Sequence, residues 1–406
     1  MSSIAGTAGA SHSPGGGNTD NPGGFRHIPA LDGIRGLAIL LILFCHLFWS
    51  NSHTGNRLFD FISALWISSY VGVNLFFALS GFLITGILLD TLEIPHYFKV
   101  FYARRVLRIF PLYYGVLLLM LLLTHPLHLV WNGWQYFYLT YTANLVVWSR
   151  PPLILHHVNI DHFWSLQVEE QFYLVWPFVI YRVRKMRNLI RISAIACIAV
   201  LFIRIGLTAA RLPDIYIAYS PTFSNVDNLL FGCCLCFLLR TSARNKTLAW
   251  APRVFALCVF ILACAGFQHG NLDWQNSFFI PTVGFSLIGI ASAALVAMAL
   301  RGGSRAEHLF KSKTLRFFGK YSYGIYVFHY PVQAALSAPI RAFVDARFHA
   351  KLMGVLSSAV IVGVATILIA VFSYHFYESR FLKLKKYFSY NKNIRPKMQQ
   401  PAQSQA

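Results

Sequence analysis

Charged side chains are scarce in this sequence. Asp, Glu, Lys and Arg make up 12% of the chain, about half of the roughly 25% that is typical of soluble domains. Hydrophobic residues make up 56%, and the mean hydropathy is +0.53. This composition excludes an ordinary soluble protein. The 406 residues are therefore predicted to form an all-α membrane protein, a single polytopic bundle of membrane-spanning helices.

Acidic residues are the scarcest charged group. The chain has 14 Asp and Glu against 35 Lys and Arg, which gives a formal net charge of +21 at pH 7. In a soluble protein this excess would suggest nucleic-acid binding. Here the cations lie between apolar segments, so the positive-inside rule of membrane proteins explains them without a nucleic-acid partner.

The seven cysteines all lie within apolar runs. Cys233, Cys234 and Cys236 are close together, but small apolar packing is a far more frequent role for such residues than metal binding. We expect neither a disulfide nor a metal site, and no bound cofactor.

Both ends of the chain lack long apolar runs. Residues 1–24 consist mainly of Gly, Ser, Ala, Asn and Pro, which is typical of a disordered leader. They contain no basic start that leads into an apolar core, so a signal peptide is not expected. Residues 381–406 are predicted to be a basic cytoplasmic tail, and the membrane domain is expected over residues 27–380.

Ten apolar segments are predicted to span the membrane. If the N-terminus is cytoplasmic, 28 of the 35 lysines and arginines fall on the cytoplasmic side and six outside, with Arg204 inside a span. This asymmetry predicts a multi-pass protein of the inner (plasma) membrane, with both termini cytoplasmic and residues 125–163 forming an outer loop. The spans are about 34–50, 66–89, 109–124, 164–181, 189–208, 222–239, 252–268, 278–300, 322–339 and 352–377.

The first span contains two strongly polar side chains, Arg35 and His46. They are close to three helical turns apart, which puts them on almost the same face and about 16 Å apart along the axis. An ionisable group at membrane depth usually serves a function. The alternative is that Arg35 anchors the helix at the cytoplasmic surface and His46 is a packing residue.

Three arginines follow the second span: Arg104, Arg105 and Arg108. Arg105 and Arg108 are three residues apart at a predicted helix start, so both can contact one ligand. Guanidinium groups at a membrane surface suit a phosphate-rich ligand, which they bind through bidentate contacts. The alternative is anchoring to anionic lipid headgroups.

The fourth span opens with the motif HFWSLQVEEQFYLVWP, which contains two adjacent glutamates. Such residues in a membrane segment require partners. Ser165 and Glu169 share a helix face, whereas Glu170 lies about 100° away, so only one glutamate can point squarely into the bundle. The alternative is an acidic helix start at the membrane interface. In the ninth span, His329 precedes Pro331 by two residues, which suggests a polar, kinked position.

Six motifs follow one another along the chain: Arg35-x10-His46, GVNLFFALSGFLIT, RRVLRIFPLYY, HFWSLQVEEQFYLVWP, SYGIYVFHYPV and YESRF. In this order they resemble the acyltransferase 3 family of integral-membrane O-acyltransferases. The resemblance implies about ten spans and the transfer of an acyl group, most commonly acetyl, from cytoplasmic acyl-CoA to a hydroxyl of a glycan or glycolipid. Asn74 departs from the family, in which an acid is usual, so no charged role is expected there. The family's frequent hydrolase-like extension is not found after the last motif, so the acceptor step is expected to fall to the membrane domain or a partner.

The resemblance also implies roles for individual residues. It carries over the arginine–histidine pair of the first span, the two arginines of the RxxR pattern and the two glutamates. Acyl transfer needs a base for the hydroxyl proton and a cation or dipole for the developing oxyanion. We predict that His46 is the base or a covalent acyl carrier, oriented by an acid, Glu169. The predicted substrate-binding residues are Arg35, Arg105, Arg108, Ser165 and Glu170.

A transporter or flippase for an anionic or lipid-linked substrate is the alternative from another functional class. Buried charges and a basic inner rim fit that function too. Radiolabelled acyl-CoA separates the two, because only an acyltransferase would become labelled, release CoA or label a glycan. The sequence does not determine the acceptor, the acyl chain length or the oligomeric state.

Overall fold

The computed structural model describes residues 27–49, 70–126, 128–131, 133, 135–146, 160–210, 218–269 and 277–390. The predicted disordered leader lies outside the described residues. So do residues 147–159 of the predicted outer loop and the basic tail from residue 391 on.

All regular secondary structure in these ranges is helical. Short helical turns precede α6 (Asp161–Phe163) and α10 (Ile280–Gly284) and flank α14 (Tyr374–Glu378 and Leu384–Tyr387). The α-helices are α1 (Pro29–Trp49), α2 (Val71–Asp90), α3 (Tyr97–Leu122), α4 (Gln135–Leu139), α5 (Ala143–Val146), α6 (Trp164–Val183), α7 (Met186–Ala209), α8 (Thr222–Leu238), α9 (Arg244–His269), α10 (Phe285–Leu300), α11 (Arg305–Phe310), α12 (Lys313–Phe348), α13 (Lys351–Ser373) and α14 (Ser379–Lys383).

Each predicted span overlaps one of the helices, and the predicted all-α polytopic membrane fold is confirmed, whereas the predicted number of ten spans is not. Within the described ranges, seven helices are long and apolar enough to cross a membrane. One boundary differs from the prediction in a way that affects the site. α3 begins at Tyr97, because Val100 and Phe101 are buried and extend its packed face towards the N-terminus. The three arginines of the RRVLR motif therefore lie well inside a helix rather than at its start.

Helix α1 packs against both α2 and α12, and α12 continues the layer to α13. On the other side, α2 packs against α8 and α10, which in turn contact α7 and α9. The crossing of α2 and α8 is very close: a Cβ atom on Gly81 would lie 1.9 Å from the carbonyl oxygen of Leu229, and one on Gly232 would lie 1.9 Å from that of Ala78. Small residues at such crossings let membrane helices pack backbone to backbone.

A buried ion pair joins α7 to α8. Arg204 and Asp227 both have fully buried side chains, and the guanidinium donates to the two carboxylate oxygens at 2.8 and 2.7 Å. Ser286 of α10 and the carbonyl oxygen of Ser224 also accept from Arg204. Each charge thus has an opposite charge and further hydrogen bonds, which a charge at membrane depth requires. The sequence identified Arg204 as lying inside a span but not its partner.

Candidate active site

A cavity of about 260 Å³ lies among α1, α2, α3, α6 and α12. Its volume is slightly below the ~300–1,000 Å³ found for small-molecule sites. One carboxylate lines it, against five cations: Arg35, Arg104, Arg105, Arg108 and Lys385. Five of the seven predicted site residues line this cavity, namely Arg35, Arg105, Arg108, Ser165 and Glu169, whereas His46 and Glu170 do not.

Arg105 and Arg108 line the cavity without an ion-pair partner among the described residues. The guanidinium carbon of Arg105 lies 5.6 Å from the centre of the Tyr173 ring, a cation–π contact. Arg35 differs, because its Nη1 donates to Asp32 Oδ1 of the same helix at 2.5 Å. Arg105 and Arg108 are therefore more available to an anionic ligand than Arg35 is.

Glu169 is bonded on the cavity wall, and the predicted pair with His46 is not formed. The Ser80 hydroxyl donates to its Oε1 at 2.7 Å, and the Tyr173 hydroxyl donates to its Oε2 at 3.2 Å. Glu169 also attracts Arg105 electrostatically. Its two oxygens are thus used on α2 and α6, on the arginine side of the site. The prediction that Glu169 orients His46 is therefore wrong in this structure.

His46 is bonded to a second histidine, His329 of α12. His46 Nδ1 lies 2.9 Å from His329 Nε2, and His329 Nδ1 lies 2.6 Å from the carbonyl oxygen of Tyr326. A carbonyl oxygen can only accept, so Nδ1 of His329 carries the hydrogen and Nε2 of the neutral ring is an acceptor. His46 therefore donates from Nδ1, and its Nε2 carries the lone pair. This is the tautomer that a general base uses.

A layer of hydroxyl and imidazole groups separates His46 from the cavity. Ser165 and Tyr326 line the cavity with their hydroxyl oxygens 2.5 Å apart, and the Tyr326 hydroxyl donates to the carbonyl oxygen of His162 at 2.5 Å. Behind them, the ring centres of His162 and His329 are 4.7 Å apart. His46 lies beyond this layer, one hydrogen bond past His329.

Glu170 is partly exposed and does not line the cavity, so its predicted substrate-binding role is not supported by its position. The glutamates occupy different faces, as their spacing requires. Only Glu169 points into the site, while Oε1 of Glu170 has no hydrogen-bond partner in the described part of the chain. Sequence reasoning missed Ser80, His162 and Tyr326 as site residues, although all three lie within the motifs that it singled out.

Proteins similar to this chain carry O-acetyltransferase names. The chain is 29% identical over 381 residues to YrhL of Bacillus subtilis, described as a peptidoglycan O-acetyltransferase, with 87% of this chain and 54% of that protein covered. It is 27% identical over 396 residues to the peptidoglycan O-acetyltransferase OatA of Listeria monocytogenes, with 92% and 58% covered. It is 28% identical over 335 residues to the O-acetyltransferase OatA of Staphylococcus aureus, with 76% and 51% covered. The chain thus spans about half the length of these relatives. No solved structure matches it.

The family profile of the acyltransferase domain, acyltransferase 3, matches residues 28–375. The matched range runs from the start of α1 into the turn after α13, and it contains both histidines of the hydrogen-bonded pair and the arginines of α3. Lys385, which also lines the cavity, lies beyond it. The match confirms the resemblance that the six motifs indicated. The chain therefore belongs to the acyltransferase 3 family of membrane proteins.

Proposed function

We propose that the protein is an integral-membrane O-acetyltransferase that moves an acetyl group from cytoplasmic acetyl-CoA to a hydroxyl of a glycan or glycolipid. The observation that carries this proposal is the arrangement around one cavity. Arg105 and Arg108, which have no ion-pair partner in the described part of the chain, line it. A histidine bonded as a general base lies one layer behind Ser165 and Tyr326.

The cationic lining supports a donor that carries several phosphates. Guanidiniums bind phosphate through paired, charge-assisted hydrogen bonds. Arginines that only anchored α3 to lipid headgroups would have no reason to line a cavity inside the bundle. The apolar side chains of Ile42, Phe77 and Leu166 also line it, and they suit the uncharged arm and acyl end of a thioester.

The proposed reaction uses His46 as the base. The acceptor hydroxyl gives its proton to His46 Nε2 while its oxygen bonds to the thioester carbonyl carbon. The carbon–sulfur bond then breaks, and the departing thiolate takes the proton from His46. His329 accepts from the Nδ1 hydrogen throughout and so favours the charged ring that forms midway. The Ser165 hydroxyl, once its hydrogen bond with Tyr326 is displaced, donates to the developing oxyanion in this scheme.

Glu169 acts on the donor side in this scheme. It holds the hydroxyl of Tyr173, and the Tyr173 ring lies against Arg105. Through these contacts the Glu169 carboxylate positions the guanidinium of Arg105 rather than the imidazole of His46. Because Ser165 and Tyr326 stand between the cavity and His46, the donor must also displace their mutual hydrogen bond for its acyl end to meet the acceptor.

The acceptor that we propose to test first is peptidoglycan, because two of the relatives above are named for acetylating it. Purified protein incubated with radiolabelled acetyl-CoA should release free CoA and transfer label to glycan fragments. A folded protein that does neither, but carries a labelled anion or lipid across vesicles, would contradict the proposal and favour a transporter.

The topology predicted from the charge asymmetry belongs to the same proposal, since it places donor and acceptor on opposite sides. A reporter that is active only in the cytoplasm should be active when it is fused at residue 3 or residue 404. The same reporter should be inactive when it is fused at residue 150. A reporter at residue 150 that is active in the cytoplasm would refute transfer between the two sides.

A further inference from the structure

The chain continues past the range of the family match and returns to the cavity. The turn Tyr374–Glu378 ends the packing of α13, and α14 leads into a C-terminal segment, residues 384–390. Lys385 and Tyr390 of this segment line the cavity. The sequence had assigned Lys385 only to a basic tail. We propose that Lys385 binds a phosphate group of the acyl donor, together with Arg105 and Arg108. This inference rests on the proposed function, because it takes the donor to be acyl-CoA.

Arg104 holds the C-terminal segment in place. Its Nη1 donates to the carbonyl oxygens of Lys385 and Phe388 at 3.1 and 2.8 Å, and its guanidinium carbon lies 4.8 Å from the centre of the Tyr390 ring. Basic side chains near the C-terminal end of a helix often donate to its last carbonyl groups. Arg104 is thus occupied with the backbone, which leaves Lys385 as the third cation available to a ligand.

The position of Lys385 is unfavourable without an anion. Burial, together with repulsion from Arg108, Arg105 and Arg104, lowers the pKa of the Lys385 ammonium to about 6, so the charged form is disfavoured until an anion binds. Lys385 forms no ion pair within the described ranges. Like charges held together destabilise the structure that holds them. A ligand with several phosphates relieves this repulsion when it binds among the cations. The contacts of Arg104 therefore keep Lys385 close to the other cations, where a ligand with several phosphates gains the most binding free energy by neutralising them.

The neighbouring lysines provide a matched comparison. Lys383 and Lys386 are exposed, whereas Lys385 is half-buried, and neither neighbour lines the cavity. A general attraction of the tail to phosphate would involve all three residues. A phosphate site in the cavity involves Lys385 but neither of the other two lysines.

The test is CoA binding by the full-length protein in neutral detergent, measured by titration calorimetry. Lys385→Gln should raise the Kd for CoA about tenfold, the effect of losing one charge-assisted contact. Lys386→Gln should leave the Kd unchanged, and Arg108→Gln, which reports on the proposed donor site, should raise it. Arg104 binds the backbone of Lys385, so the side-chain substitution leaves that anchor intact. An unfolding temperature of Lys385→Gln that is equal to or above that of the unaltered protein checks this, because the substitution removes a charge that the neighbouring cations disfavour.

The outcomes separate the inference from the function on which it rests. If Arg108→Gln weakens CoA binding but Lys385→Gln behaves like Lys386→Gln, the inference is overturned and the donor assignment stands. If the unaltered protein does not bind CoA, the donor assignment is refuted and the inference with it. A lipid headgroup carries the same phosphate chemistry. If the Lys385→Gln variant in nanodiscs retains less phosphatidylglycerol than the unaltered protein while its Kd for CoA is unchanged, the inference is overturned in favour of a lipid contact.

Discussion

His329 is expected to act through His46 rather than through the substrate. It accepts a hydrogen bond from His46 Nδ1 and is only 1% exposed. His329→Leu therefore leaves this buried His46 N–H donor without an acceptor, and the hydrogen is no longer fixed on Nδ1 of His46. An unsatisfied buried group costs about 1–3 kcal/mol. If that cost falls on the transition state, kcat drops roughly 5- to 150-fold. Gln is similar in size to His and its side-chain oxygen can accept, so His329→Gln should retain more activity than His329→Leu.

The assay is CoA release by purified variants, with thermal unfolding recorded for each one. Residues that act as a unit lose activity non-additively, so His329→Leu should add little to the defect of His46→Asn. Equal activity of the Leu and Gln variants would show that hydrogen-bond acceptance by His329 is irrelevant. Multiplicative losses in the double variant would show that the two histidines act independently.

Three further substitutions test the rest of the structure. Arg105→Ala combined with Arg108→Ala should raise the KM for acetyl-CoA roughly ten- to a hundredfold through lost charge-assisted contacts, and an unchanged KM would return both residues to lipid anchoring. Glu169→Gln should raise the KM for donor more than it lowers kcat, because its contacts lie on the arginine side; a pure kcat defect would instead restore its pairing with His46. Arg204→Ala should destabilise the protein by about 3–5 kcal/mol, since it leaves Asp227 buried and unpaired. When Asp227 is also replaced by an apolar residue, thermal unfolding should show that part of the lost stability is regained. If no stability is regained, the ion pair is not the cause of the loss.

The helices could be predicted well from the sequence, because in lipid a long apolar run must satisfy its backbone hydrogen bonds internally and so becomes a helix. Periodicity within one helix was equally informative. It placed Ser165 and Glu169 on one face, and both line the cavity. The same periodicity placed Glu170 on a different face of the helix from Ser165 and Glu169. The substrate-binding role predicted for Glu170 was therefore inconsistent with its position around the helix.

Contacts between helices could not be predicted in the same way. The partner of His46 lies 283 positions away, and the pair exists because α1 packs along α12. Periodicity within a helix does not encode which helices meet, so the choice of Glu169 as the orienting group rested on chemistry alone. Lys385 reaches the cavity only because a turn ends α13 and Arg104 holds the segment that follows.

Acetyl-CoA turnover by folded His46→Asn protein tests the proposed role of His46 most directly. If His46 is the base, CoA release should fall at least about a hundredfold, the lower range for a lost general base. The unfolding temperature and the Kd for CoA should stay near those of the unaltered protein, because His46 does not line the donor cavity. A folded His46→Asn variant that keeps more than about a tenth of the turnover would contradict a general-base role, and the reaction would then have to occur elsewhere.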